Sequence, residues 1–319
     1  MVTTPNSDGS SRRPIKIGLE LDIESLSLPE PNPLSWPDQR RMAQLAEEAG
    51  FDSLWLPDHM FGESDGRTTG AWECWSMLAA VAAVTERITL GTLVLATSFR
   101  EPALLAKMAD TVDEISNGRL ILGLGAGWFE AEYRAFGFAY DHRFSRFEEA
   151  FTIIRTLLRE GEIDFDGTYY QARDCVLRPR GPSRSGMPIM VGTRGPRMLR
   201  LTAQHAEWWN AWVLSKSNSP HDAVAPLREA VDAACVEVGR DPATLVRSVA
   251  VMVHPYPTPP PPLPTGCDPI WGSREEIAAK LLAYVDEGVS HLQVVLAPST
   301  PAAVEAFAPV LEIIDRAKA

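Results

Sequence analysis

Asp58 and His59 stand side by side just after the short apolar run Phe51–Leu56. An imidazole gives or takes a proton near neutral pH, and a carboxylate beside it can orient it or raise its pKa. Sequence neighbours need not face each other, and a histidine bonded only to backbone is the alternative. Two glycine-rich turns offer a different chemistry. Gly125-Ala126-Gly127-Trp128 follows the apolar run Leu120–Leu124, and glycines there let backbone approach a ligand that a β-carbon would hold away. A dinucleotide fingerprint needs a third glycine where Trp128 stands, so that reading fails. Trp128 either lines a pocket or packs in the core, and Glu130 and Glu132 face either pocket or solvent. Gly192-Thr193-Arg194-Gly195 leads into a helix opened by Pro196. Free N–H groups and the helix dipole make such a start an anion site, to which Arg194 adds charge-assisted bonds. The other histidines (142, 205, 221, 254 and 291) have no ligand spacing, so a metal site is not expected. Neither a G-x-S-x-G nor a Walker motif is present, which leaves hydrolase and NTPase chemistry without support.

These residues sit at the ends of apolar runs that alternate with amphipathic stretches. Ile15–Leu21 reads as a first strand, followed by a helix from Trp36 capped by Gly50, and Phe51–Leu56 as a second strand. A loop rich in Gly and Thr spans Gly62–Gly70, before a helix from about Trp72 to Val84. Ile88–Ala96 is a near-continuous apolar run, as expected of a parallel strand buried on both faces. Pro102 opens a helix with Leu104, Leu105, Met108, Ala109, Val112 and Ile115 on one side; Asn117-Gly118 ends it, and Leu120–Leu124 is strand four. After a helix over 143–158, Phe165–Tyr170 and Cys175–Pro179 suggest a small hairpin inserted after that strand. Strands over 188–191, 208–213, 245–253 and 291–297 complete the set. The prolines between His254 and Pro269 mark a second insertion, after strand seven. Eight strands alternating with eight major helices predict an α/β fold, a single (β/α)8 TIM barrel over 14–319, with a loose tail at 1–13.

The 319 residues carry a formal charge of -12, which argues against a nucleic-acid partner. Four well-separated cysteines (74, 175, 235 and 267) fit reduced thiols better than a disulfide framework. The tail has no apolar core to act as a signal peptide, and no run approaches membrane-spanning length. A cytoplasmic protein without membrane contact is expected.

The stretch Ile88–Gly137 closely resembles the luciferase-like flavin and deazaflavin oxidoreductases, through its LGT strand, PALLAK helix, SNGRL turn and GLGAGW turn. The resemblance implies the deazaflavin coenzyme F420, because Asp-His at the end of strand two characterises that branch, and it makes His59 the catalytic candidate with Asp58 close to the ring. It further implies a bulge with a non-prolyl cis peptide after the LGT, at Leu93 and Val94 with Leu95 adjacent, behind the ring. Gly125, Ala126, Gly127 and Trp128 would border the cofactor, and Gly192, Thr193, Arg194 and Gly195 would hold its phosphate, although relatives usually have more glycines on that loop. Trp209-Asn210 matches the family's GWN with Trp208 in place of glycine. The implied reaction is hydride transfer between F420 and a small organic molecule. The alternatives are an FMN-dependent monooxygenase supplied by a partner flavin reductase, and a non-catalytic cofactor-binding barrel. A homodimer is the family's habit. Replacing His59 by Ala or Asn is expected to reduce turnover strongly while leaving thermal unfolding unchanged; undiminished turnover would remove His59 from the chemistry.

Overall fold

A computed structural model of the protein describes residues 13–25, 33–64, 67–184, 186–213, 220–263 and 268–317. In chain order the elements are β1 (Lys16–Glu20), α1 (Trp36–Ala49), β2 (Ser53–Leu56), β3 (Phe61–Ser64), β4 (Arg67–Gly70), α2 (Cys74–Val84), β5 (Thr89–Thr92), β6 (Leu95–Ala96), α3 (Pro102–Ile115), β7 (Leu120–Gly125), α4 (Glu130–Phe136) and α5 (Arg143–Glu160). They continue with β8 (Glu162–Asp166), β9 (Gln171–Val176), β10 (Ile189–Gly192), α6 (Pro196–His205), β11 (Trp208–Trp212), α7 (Pro220–Glu237), β12 (Val246–Val253), α8 (Arg274–Leu282), β13 (His291–Leu296) and α9 (Pro301–Arg316). The parallel strands β1, β2, β5, β7, β10, β11, β12 and β13 pair in sequence, and β13 returns to β1 to close the expected barrel. No helix of the described residues is long and apolar enough to cross a membrane.

Strand alternation sorts the side chains into two cores. Leu54 and Leu56 point outward into the layer shared with the helices, where Ile17, Leu90, Leu122 and Val191 join them. Trp55 points inward, fully buried, against Ile121 and Met190, with Leu93, Val94 and Trp208 packed around it. Its indole fits because Gly18 and Gly91 flank it: a β-carbon would lie 2.3 Å from Trp55 Cζ3 at Gly91 and 2.5 Å from its Nε1 at Gly18. Below it, Ser53 Oγ accepts from Trp55 Nε1 at 2.7 Å and lies 2.7 Å from His291 Nε2. Burial holds His291 down at about 3, so it is a neutral part of the barrel floor.

Three segments depart from the sequence reading. The strand expected over Ile88–Ala96 is two pieces, β5 and β6, interrupted at Leu93-Val94. The Gly/Thr-rich segment after strand two is an antiparallel hairpin, β3–β4, whose Phe61 contacts the rings of Phe129 and Phe136. Arg13, assigned to the tail, is tied down: its side chain is 3% exposed and reaches Asp52, Asp315 and the carbonyl of Gly50. The rest of the tail, Pro29 and Pro31 of the first loop, and Cys267 lie outside the described residues. The hairpin expected after strand four is β8–β9, with Glu149 accepting from the amides of Thr168, Tyr169 and Tyr170 at its turn.

Gly91→Ala is expected to destabilise the protein by about 1–3 kcal/mol, the range for overpacking a filled core. Urea unfolding would measure it, and an unchanged midpoint would show that Trp55 moves aside freely.

Candidate active site

The interruption of strand three shapes the barrel mouth. β5 pairs with β7 up to Gly91 opposite Ile121, and β6 resumes with Leu95 opposite Leu124. One side therefore advances four residues against three on the other, which is a bulge. The expected non-prolyl cis peptide lies inside it, at Leu93-Val94. Thr92 repairs the gap with its hydroxyl, which donates to Gly123 O at 2.8 Å and accepts from Gly123 N at 2.9 Å. A β-carbon on residue 123 would lie 1.9 Å from Thr92 O, so the backbones meet there only because Gly123 has none.

Val94 then extends over two more glycines. A β-carbon at Gly125 or at Gly192 would come within 2.8 Å of Val94 Cγ2. The bulge, the strand-four glycine turn and the start of the strand-five loop thus converge on one point. Leu93 packs toward Trp55, while Leu95 joins the outer layer against the helices and does not face the mouth. Gly127 has φ +70°, and a β-carbon there would meet Tyr133 Oη at 1.8 Å. The turn is held by Tyr133 Oη donating to Ala126 O, Tyr140 Oη to Trp128 O and Arg143 Nη1 to Gly127 O. Trp128 is 69% exposed, which excludes core packing, and its ring stands edge-on to His59 at 5.8 Å.

His59 is placed between carboxylates. Glu132 Oε2 lies 3.1 Å from its Nδ1, and Glu132 Oε1 also accepts from the amide of Met60 at 2.5 Å. Glu24 Oε2 lies 3.8 Å from Nε2 on the other side. Burial alone would push the imidazole down, but Glu24 and Glu132 outweigh it and hold it up at about 9. Burial raises Glu24 to about 7, against the opposing pull of His59. Burial, with Glu24 and Asp22 adding to it, pushes the inward-facing Glu20 well above the usual carboxylate range.

Asp58 has a different set of contacts from those of an orienting partner for His59. Its oxygens receive Arg100 Nη1 at 2.7 Å, Arg100 Nη2 at 2.9 Å and the Ala96 amide at 3.0 Å. Arg100 also binds Glu73 at 2.5 Å, and Glu73 caps α2 through the amides of Trp75 and Ser76. Asp58 therefore ties strand two to β6 and α2, and reaches the imidazole only through its charge. Of the two acids on α4 whose direction the sequence left open, Glu132 faces the pocket and Glu130 is exposed, whereas Glu24 and Arg100 were not singled out in the sequence. For Glu24 a signal existed, since Glu20, Asp22 and Glu24 recur at the period of one strand face. Arg100 lies in no motif.

The Gly192–Gly195 loop leads into α6 as expected. The amide of Thr193 donates to Asn210 O, its carbonyl accepts from Trp209 Nε1, and its Oγ1 accepts from the Gly195 amide at 3.3 Å. The guanidinium of Arg194 is turned to the carbonyl of Trp212. Asn210 points into the barrel, where Nδ2 donates to Ser248 Oγ and Gln293 Oε1, both at 3.1 Å.

A closed (β/α)8 barrel whose mouth combines a bulged third strand, a glycine floor and a histidine between carboxylates defines a class of protein. Residues 17–259 match the luciferase-like monooxygenase family, and the chain belongs to it. It is 33% identical over 227 residues to an F420-dependent glucose-6-phosphate dehydrogenase of Microbacterium testaceum, covering 66% of this chain and 62% of that one. It is 32% identical over 216 residues to the pyrimidine monooxygenase RutA of a Caulobacter species, covering 65% of this chain and 59% of that one. The matched part is thus less than two thirds of either relative. In three dimensions it resembles the F420-dependent tetrahydromethanopterin reductase of Methanopyrus kandleri, with TM-score 0.72 and 18% identity over 92% of this chain and 97% of that one, which shows the shared fold.

Thr92→Val keeps the shape of the bulge residue but removes the hydroxyl that bonds the buried N–H and C=O of Gly123. It is expected to cost about 1–3 kcal/mol of stability in thermal unfolding. A cost near zero would mean that the bulge does not depend on this hydroxyl.

Proposed function

We propose that the protein is an oxidoreductase that transfers hydride between the deazaflavin coenzyme F420 and a small organic substrate, with His59 handling the accompanying proton. The observation that carries this reading is the imidazole held between Glu24 and Glu132 beside the glycine-floored bulge. The family includes relatives named for F420, in support of that cofactor.

The residues fit a flat ring with an anionic tail. Val94 over Gly125 and Gly192 offers a backing free of further side chains on two strands, and Trp128 stands exposed beside His59. The opening amides of α6 supply donors suited to a phosphate, and Arg194 adds its charge there if it leaves the carbonyl of Trp212. When bound, the deazaflavin supplies or accepts the hydride. The chain's own residues do the rest. With a pKa of about 9 the imidazole is protonated at neutral pH and is loaded as an acid. Glu132 occupies Nδ1 and fixes the ring orientation, which leaves Nε2 to donate to a substrate oxygen. Glu24, at 3.8 Å from Nε2, stands where that proton can be replaced.

Two measurements test this reading. Side-by-side titration of tryptophan fluorescence is expected to show micromolar binding of F420 and much weaker binding of FMN. The reverse order would favour a monooxygenase fed by a flavin reductase, as the likeness to RutA also allows. Binding of neither would refute the anion-loop assignment and favour the non-catalytic barrel. In the direction that protonates substrate, turnover is expected to fall as pH rises through about 9. A fall centred near the unshifted 6.5 would contradict the carboxylate pair. The same shift makes stability highest below 6.5 and lowers it as pH rises from there through about 9, because the folded state holds the proton longer.

A further inference from the structure

The chain carries a formal charge of -12, yet four arginines gather where the strand-five loop meets the first turns of two helices. Arg194 lies on the loop and Arg197 on the first turn of α6, while Arg143 and Arg146 lie on the first turn of α5. A stacked contact joins the two helices: Arg197 Cζ lies 3.9 Å from the centroid of the Phe144 ring. Arg143 Cζ lies 4.3 Å over the ring of Tyr140, and its Nη1 donates to Gly127 O at 2.8 Å, so this side chain borders the glycine turn. Arg146 Cζ lies 4.5 Å over the ring of Tyr169, at the turn of the β8–β9 hairpin. Among the described residues, Asp141 is the one carboxylate in ion-pair contact with any of the four, and Arg146 holds it at 3.0 Å. Arg194 and Arg197 are exposed.

From this ridge we infer that the ligand held at the Gly192–Gly195 loop carries a flexible chain of carboxylates beyond its phosphate, and that Arg143, Arg146 and Arg197 bind that chain. The inference rests on the proposed function and deepens it, by assigning residues to a part of the cofactor that the phosphate loop does not reach. A single phosphate is satisfied by the opening amides of α6 and one guanidinium, which leaves the other arginines as charge in excess of what it needs. A ring beneath a guanidinium occupies its face and leaves its N–H edge to bind, and that edge matches a carboxylate through two parallel hydrogen bonds. The three stacked contacts therefore hold the arginines ready for carboxylates. The acidic remainder of the chain opposes the approach of a polyanion, and a local group of arginines reverses that field where the polyanion docks. The deazaflavin coenzyme has such a chain: γ-linked glutamates follow its phosphate, each with a free carboxylate. FMN ends at its phosphate and has nothing to place on the ridge.

The test is fluorescence titration of the full chain with F420 bearing several glutamates and with the same coenzyme stripped of them, at low and at high salt. The glutamylated form is expected to bind roughly tenfold tighter at low salt, as a few exposed ion pairs together supply, and to lose that margin at high salt. Combining Arg146→Gln with Arg197→Gln is expected to bring the two forms to equal affinity, with the stripped form bound as before. Arg197→Gln alone, at an exposed position, is expected to narrow the margin and serves if the double variant does not fold. Arg316→Gln removes the same charge at the C-terminal end of α9 and is expected to leave the margin intact. Equal affinity of the two forms in the unaltered protein, a margin that survives the arginine substitutions, or one that Arg316→Gln abolishes as well would overturn the inference. If neither form binds, the functional reading fails, and calorimetric titration of an oligomer of γ-linked glutamate alone then judges the ridge. Binding heat that the double variant loses would support it, and no heat, or heat that the double variant keeps, would overturn it.

Discussion

The exchange of two hydrogen bonds between the hydroxyl of Thr92 and the backbone of Gly123 is the constraint on which the mouth of this barrel depends. A parallel ladder that loses its register between β5 and β7 would leave buried amide and carbonyl groups unpaired, a cost of about 1–3 kcal/mol each. Thr92 supplies both a donor and an acceptor at that gap, and Gly123 lets the two backbones close to a distance no β-carbon would permit. With the gap repaired, Leu93 turns down onto Trp55 and Val94 turns over Gly125 and Gly192. The LGT and GLGAG motifs are thus one device, two halves of a single contact.

The second organising effect is electrostatic. The mouth gathers Glu24, Asp58 and Glu132 around a single imidazole, with Glu20 and Asp22 acting on Glu24 behind them. Two of these charges have mechanical work: Asp58 accepts Arg100 and the Ala96 amide, and Glu132 accepts the Met60 amide as well as the imidazole. Buried charge is tolerated where it is paired and hydrogen-bonded, and these contacts fulfil that condition. The result is a histidine that keeps its proton at neutral pH although burial alone would remove it.

Much of this was legible in the sequence, for identifiable reasons. Barrel strands buried on both faces read as continuous apolar runs, and the helices announce themselves through Pro102, Pro196 and Gly50 at their ends. His59 was visible because the chain places it directly after a strand, where a barrel keeps its chemistry. What was hidden depends on contacts between distant segments. Glu132 on α4 meets His59 across 73 positions, and Arg100 meets Asp58 across 42. The sequence likewise could not show that Asp58, adjacent to His59, would turn to a guanidinium instead. The break in strand three is hidden for a related reason: Leu93 and Val94 are as apolar as a regular strand would require, and only the pairing with β7 reveals the extra residue.

The chemistry of the barrel mouth depends most directly on the protonation state of His59. Heteronuclear NMR of histidine-labelled protein, with the His59 signal assigned from a variant lacking it, follows that state residue by residue as pH is changed. The structure predicts a midpoint at about 9 in the cofactor-free protein. A midpoint at or below 6.5 would contradict it, by showing that Glu24 and Glu132 do not hold the imidazole as an acid.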